Sequence, residues 1–274
     1  MTHSDFLASE LAARYGFVRR ARGCFLYTQK GVRLTDLYQE GGRAILGWGG
    51  SAFTVFKNVL NRGSTGSFDT EFSHRIEKAV CTLLRSPRTA LLFSSRQAAL
   101  KAALTISPAD TSFWRPWNPE QTDWTQRDVA IIAPPLPWAQ ELFIVAAKPE
   151  LVEVARAAGR QPPDGERLPA PLQAAITRAI YDLIAALQTR GEKDWFLYDS
   201  VLRPYWTRRG PYLFPNIGEA QYPDFLRHCL DCGIVISPDC NTPSIVPFGA
   251  APGVFTKLKR QPFPISTAQD GGAP

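Results

Sequence analysis

The chain has 274 residues, 45% of them hydrophobic and 20% charged, and a formal net charge of +6, an ordinary balance for a globular protein with a sizeable core. Five cysteines, an odd number in a long chain, argue against a disulfide framework, and the longest apolar run, Leu142 to Ala147, falls far short of the roughly 20 residues of a membrane-spanning helix. Lysine and arginine are scattered rather than blocked, so the charge permits an anionic ligand without indicating one.

In chain order, residues 4–16 predict a helix capped by Ser4 or Asp5, with Phe6, Leu7, Leu11 and Ala12 on one face. "CFLYTQKGVRLTDLY" predicts two short strands around a Gln29-Lys30-Gly31 turn. "GGRAILGWGGS" is a glycine-rich loop, and "AFTVFKNVLNRG" a helix closed by Gly63. After the small-residue loop "GSTGSFD" comes an amphipathic helix, "TEFSHRIEKAVCTLLRS", ended by Pro87. A strand over Thr89–Phe93 then turns at Ser94-Ser95 into a helix over Gln97–Leu104.

Residues 107–127 are rich in Pro and Trp and predict an irregular connection, packed because Trp114, Trp117 and Trp124 need cover. "VAIIA" and "LFIVAA" are buried strands on either side of the "PPLP" break, and "PELVEVARAAG" is a short helix. A polar Pro-rich loop leads into the longest helix, with apolar positions at 172, 176, 180, 183, 184 and 187. "GPYLFPNI" and "GIVISP" predict strands flanking a helix at 223–231, and "NTPSIVPFG" one more strand. The expected tail, 261–274, is Pro/Gly/Ser-rich and loose. The alternation predicts an α/β or α+β chain. Cys229-x-x-Cys232, with His228 beside it, has metal-like spacing but sits in a helix stopped by Gly233, which favours plain helix cysteines and no metal. The opening residues show no basic-then-apolar signal pattern, so the expected location is cytoplasmic, with no membrane partner.

Several of these pieces resemble class III aminotransferases, the branch of fold-type I pyridoxal-phosphate enzymes that includes glutamate-1-semialdehyde aminomutase. "ARGCFLYTQKGVRLTDLYQEGGRAILGWG" is similar to the family's N-terminal strands and Gly-rich loop. "ALLFSSRQAALKAAL" is similar to its phosphate-binding strand-turn-helix, with Ser94-Ser95-Arg96-Gln97 standing where a Ser-Gly-Thr-Glu type turn cradles the cofactor phosphate. "LPAPLQAAITRAIYDLIAAL" and "RRGPYLFPNIGEAQYPDFLRHCLDCGIVISPDCNTPSIVPFG" resemble the long helix and the C-terminal small domain. The resemblance implies an α/β fold: a truncated large domain, with a mixed, mostly parallel sheet and helices, plus a small α+β domain. Its divisions would be 1–50, an N-terminal helix and strands belonging to the small domain; 51–170, the truncated large domain; 171–260, the long helix and small domain; and 261–274, the tail.

The resemblance also shows what is missing. The Schiff-base lysine position falls at Pro134, and proline cannot form an imine. Lys148 is the fallback, as the one lysine after a strand of that half. Only residues 105–127 stand where the family has several strand–helix units, and Asp110, Asp123 and Asp128 lack the context of the pyridinium partner. The expectation is a non-catalytic, aminotransferase-like binding protein, with no cofactor or, if one binds, pyridoxal phosphate at Ser94, Ser95, Arg96 and Gln97. Its partner would be a second copy or a full-length aminotransferase-like chain. Two alternatives stand beside it: an active pyridoxal- or pyridoxamine-phosphate enzyme with an unusual site, and a basic anion or nucleic-acid binder. The last is weighed down by the absence of any basic stripe with interleaved aromatics along the linear sequence.

Overall fold

The computed structural model describes residues 2–66, 68–118, 123–160 and 162–265. The elements in chain order are α1 (His3–Tyr15), β1 (Val18–Arg22), β2 (Phe25–Thr28), β3 (Arg33–Asp36), α2 (Ser51–Leu60), α3 (Phe72–Leu84), β4 (Thr89–Phe93), α4 (Arg96–Ile106), β5 (Thr111–Trp114), β6 (Val129–Ile132) and β7 (Phe143–Ala147). They continue with α5 (Pro149–Ala157), α6 (Ala170–Thr189), α7 (Glu192–Trp195), α8 (Asp199–Leu202), β8 (Trp206–Arg209), β9 (Tyr212–Pro215), α9 (Tyr222–Asp231), β10 (Ile234–Val235), β11 (Ser244–Ile245) and α10 (Thr256–Arg260). Contacts divide the chain into one unit of residues 1–41 with 195–274, and another of residues 42–194. Within the second of these, α6 buries its apolar stripe against α2 and α3.

The central unit is a three-layer sandwich. Its sheet has the order β4-β7-β6-β5. β7 pairs antiparallel with both β4 and β6, and β5 pairs parallel with β6. Three strands therefore run one way, with the reversed strand between them. The alternation of side chains explains why "VAII" and "FIVAA" are apolar without interruption. Val129, Ile131, Val145 and Ala147 pack with Ala99, Ala103 and Val152 of α4 and α5. Ala130, Ile132, Ile144 and Ala146 pack on the other face with Ile76 and Val80 of α3 and Ile176 and Ile180 of α6.

The two edges of this sheet differ. Within the segment expected to be irregular, Thr111–Trp114 forms the edge strand β5, with Trp114 buried. At the other edge the loop after α5 runs along β4, and Glu166 N–H donates to the Leu92 carbonyl (2.7 Å). A Cβ on Gly165 would lie 2.8 Å from Leu92 N, so the close approach itself demands glycine.

The other unit is α+β. Sheet β1-β2-β3-β10 and sheet β11-β9-β8 surround a core that includes Leu34, Leu37, Trp206, Phe225, Leu226, Leu230 and Phe255. α1 is capped by Thr2 rather than Ser4 or Asp5: Thr2 Oγ1 accepts from Asp5 N–H (3.1 Å) and Asp5 Oδ2 accepts from Thr2 N–H (2.9 Å). The start of the expected loose tail is anchored. Phe263 packs on Phe225, and its N–H donates to Tyr205 Oη (2.9 Å). Residues 266–274 lie outside the described residues.

One buried cation ties the segment before β4 to the segment before β6 in the central unit. Arg88 is 2% exposed and donates to Ser86 Oγ (2.9 Å), the Asp128 carbonyl (2.8 Å) and the Trp124 carbonyl (2.6 Å). Arg88→Ala should lower the free energy of unfolding by about 3 kcal/mol in urea titration, because it leaves buried acceptors without donors. Arg88→Lys should recover only part of the loss, since an ammonium lacks the planar fork that meets three partners.

Candidate functional site

Strand direction puts the carboxyl ends of β4, β5 and β6 at one end of the central sheet. Open α/β sheets take ligands at that end. The Ser94–Gln97 turn follows β4 there, the segment from Pro134 follows β6, and Glu141 precedes the start of β7.

The turn has the predicted local form. Ser95 is extended (φ −141°, ψ 133°) and caps α4, its Oγ accepting from Ala98 N–H at 3.4 Å. Two backbone donors of the turn are engaged by acids from distant segments. Ser94 N–H donates to Glu166 Oε1 (3.1 Å), and Arg96 N–H donates to Glu141 Oε2 (3.2 Å). A helix start attracts anions through these N–H groups and its dipole, and here two carboxylates of the same chain stand in that position. The Arg96 side chain turns aside, its guanidinium 4.4 Å from the centroid of the Phe113 ring. Gln97 is exposed in the first turn of α4.

Pro134 is buried, and its carbonyl accepts from Leu136 N–H (2.7 Å). Lys148 is not brought to the turn. It follows Ala147, which pairs with Thr89 at the start of β4, whereas Phe93 before the turn pairs with Phe143. The length of β4, roughly 17 Å for five residues, separates the two. Lys148 Nζ instead donates to Asp128 Oδ1 (3.0 Å) and the Gln126 carbonyl (2.9 Å). Asp110 joins the same end of the sheet, accepting from Arg127 (2.6 Å) and Asp128 N–H (3.0 Å). Asp123 accepts from Thr125. All three aspartates thus already have hydrogen-bonding partners: Asp123 in its own turn, Asp110 and Asp128 across neighbouring segments.

A second feature was flagged in the sequence only as a glycine-rich loop. A cleft of about 210 Å³ lies among Leu46, Gly47, Gly49–Ala52, Pro135, Pro137, Ala179, Asp182 and Arg190. Gly47, Gly49 and Gly50 all have positive φ, which lets the chain fold sharply into the start of α2. Ser51 Oγ donates to Asp182 and accepts from Arg178 Nε (2.9 Å), and Arg178 also pairs with Asp182 (2.9 Å). Arg190 Nη1 donates to the Ile45 carbonyl (3.2 Å), and burial lowers its pKa. The cleft is smaller than the roughly 300–1,000 Å³ typical of ligand pockets, and its lining does not include the Ser94 turn. Only the spacing of glycines hinted at it, because Asp182 and Arg190 lie more than a hundred residues away on α6 and its end.

The cysteine pair behaves as helix packing. Cys229 is fully buried and burial pushes its thiol pKa well up, while Cys232 Sγ lies 3.8 Å from His228 Nε2. No three metal-capable side chains cluster among the described residues. His74 is exposed on α3.

No family model matches the chain. Two curated proteins resemble it over most of their length: an uncharacterized protein of Treponema pallidum (strain Nichols), 29% identical with 87% of this chain and 91% of that protein covered, and one of Borreliella burgdorferi, 23% identical with 90% of each covered. Solved structures extend the comparison. An omega-transaminase from Sphaerobacter thermophilus superposes with a TM-score of 0.62 at 13% identity, covering 94% of this chain and 95% of that one. Plasmodium falciparum ornithine delta-aminotransferase gives 0.64 at 10%, covering 95% and 97%, and acetylornithine aminotransferase from Elizabethkingia anophelis gives 0.61 at 12%, covering 94% and 98%. At such identities the likeness is one of fold, and the chain has an aminotransferase-like α/β fold with a truncated large domain.

Proposed function

We propose that this chain is a binding protein built on an aminotransferase-like scaffold and carries no transaminase activity. The observation that supports this reading most is the engagement of the turn by Glu166 and Glu141. A phosphate brought to Ser94–Gln97 would meet two carboxylates before it met the N–H groups, and like charges at such range repel.

The remaining residues also do not fit pyridoxal phosphate. Pro134 stands at the position that the resemblance gives to the imine-forming lysine, and Lys148 is ion-paired at the opposite end of the sheet. Neither position that the resemblance offers therefore brings an amine to the turn to hold the aldehyde or to move a substrate proton. A scaffold of this kind works through contacts, and a second copy of the chain or a full-length aminotransferase-like protein is the expected partner.

Two measurements test the reading. Pyridoxal phosphate mixed at stoichiometric concentration with the purified protein should keep the absorption spectrum of the free cofactor, and borohydride should fix none of it. A shifted band that borohydride attaches to a single lysine overturns the proposal. The double variant Glu141→Ala, Glu166→Ala should gain a rise in melting temperature in millimolar inorganic phosphate that the unaltered chain lacks. An unaltered chain already stabilised by phosphate would show that the two carboxylates do not block the turn.

A further inference from the structure

The segment from Phe17 to Thr35 contains Arg19, Arg20, Arg22, Lys30 and Arg33 and no Asp or Glu. Along the sequence these residues look dispersed. The strand register gathers them. Arg20 lies opposite Tyr27, and Tyr27 opposite Arg33, which makes one row across β1, β2 and β3. Arg22 lies opposite Phe25, which faces Thr35 in the next row. Directly opposed residues share a face, so three arginines and two aromatic rings stand on one side of this sheet. Leu26, Thr28 and Leu34 are buried on the other side, while Arg20, Arg22 and Arg33 are exposed and Phe25 and Tyr27 half-buried.

The guanidinium groups lie against the rings. Arg33 is 4.5 Å from the Phe25 centroid and Arg20 is 5.6 Å from that of Tyr27. Arg19 repeats the pairing at the strand's entry, 5.8 Å from Phe17, which is 61% exposed. Several arginines elsewhere hold carboxylates, among them Arg14, Arg127, Arg178, Arg208 and Arg227. Among the described residues no acidic partner is found for Arg19, Arg20, Arg22 or Arg33.

Charges on an edge strand also discourage edge-to-edge aggregation, and β1 is an edge strand. That role accounts for Arg20 and Arg22. It accounts neither for Arg33, which sits on the inner strand β3, nor for the rings aligned between the cations. A flat sheet of cation-covered rings matches unpaired bases, which stack on aromatic faces and on guanidinium planes while the cations meet phosphates. A duplex would instead require an element that projects into a groove.

We infer that the outer face of β1–β2–β3 binds single-stranded nucleic acid, with Arg20, Arg22 and Arg33 on the backbone and the Tyr27 and Phe25 stacks under the bases. This assignment revises the expectation drawn from the linear sequence, where no basic stripe with interleaved aromatics is visible. It stands independently of the reading of the Ser94 turn, which belongs to the other unit.

Fluorescence anisotropy of the full chain with labelled oligo(dT) and oligo(rU) of about a dozen nucleotides tests it. Binding should appear at low salt, and the logarithm of the binding constant should fall against that of salt with a slope of about −2, as expected for three phosphate contacts on a single strand. The variant Arg20→Ala, Arg22→Ala, Arg33→Ala should keep its circular dichroism spectrum and bind at least about tenfold more weakly. Tyr27→Leu should weaken oligonucleotide binding by about tenfold while leaving binding of inorganic polyphosphate unchanged. Absence of oligonucleotide binding at low salt overturns the inference, as does full binding by the folded triple variant. Equal loss of polyphosphate and oligonucleotide in Tyr27→Leu reduces the face to a plain anion surface and also overturns it. Binding to phosphatidylglycerol vesicles without binding to oligonucleotides assigns the face to a lipid surface instead.

Discussion

The architecture of the central unit depends on a sheet that must be buried on both faces at once. β6 and β7 contribute alternate residues to two separate cores, one under α4 and α5 and the other under α2, α3 and α6. A strand buried on both sides has no tolerance for polar residues, and "VAII" and "FIVAA" obey that demand. From it follow the placement of α4 after β4, the position of the turn at the carboxyl end of the sheet, and the need to close both edges. A short sheet has proportionally more edge; here a loop is pressed onto the β4 edge through Gly165, and the other edge is β5, a strand of the Trp-rich segment.

Much of this organisation was legible from periodicity. The helices α3, α6 and α9 and the strands β4, β6 and β7 stand where apolar spacing put them. The strands that escaped notice share a physical cause. β1 reads Val-Arg-Arg-Ala-Arg and is exposed along most of its length, so it carries no apolar signal, and it is held by its pairing with β2. β5 lies in a stretch whose Pro and Trp content suggests a loop, yet its register with β6 makes it a strand. β8, Trp-Thr-Arg-Arg, is polar along most of its length in the same way. Propensity was overridden by tertiary pairing in all three.

The turn was visible as a strand-Ser-Ser-helix pattern, but its partners were not. Glu166 and Glu141 lie 72 and 45 residues from the donors they engage. No local motif announces such a contact. The same holds for the arginine rows on β1–β3, where the meaning of each charge depends on which ring the register sets beside it. Composition gave the amount of charge, and only the fold gave its arrangement.

β7 is the last of the four central strands to occur along the chain, yet it occupies the interior of the sheet, between β4 and β6. Until residue 147 is available, β4 has no strand neighbour and the β5–β6 pair has one open apolar edge. The ladder that β7 forms with β4 spans about fifty residues of intervening chain, so β4 joins the sheet by slow, non-local closure, whereas β6 and β7 pair across a short connection. During synthesis the half-made unit exposes sticky strand edges for as long as ribosome and chain take to deliver one short segment. Until β7 is added, the edges of β4 and β6 that it will occupy stay unpaired, the arrangement that favours pairing between chains over pairing within one.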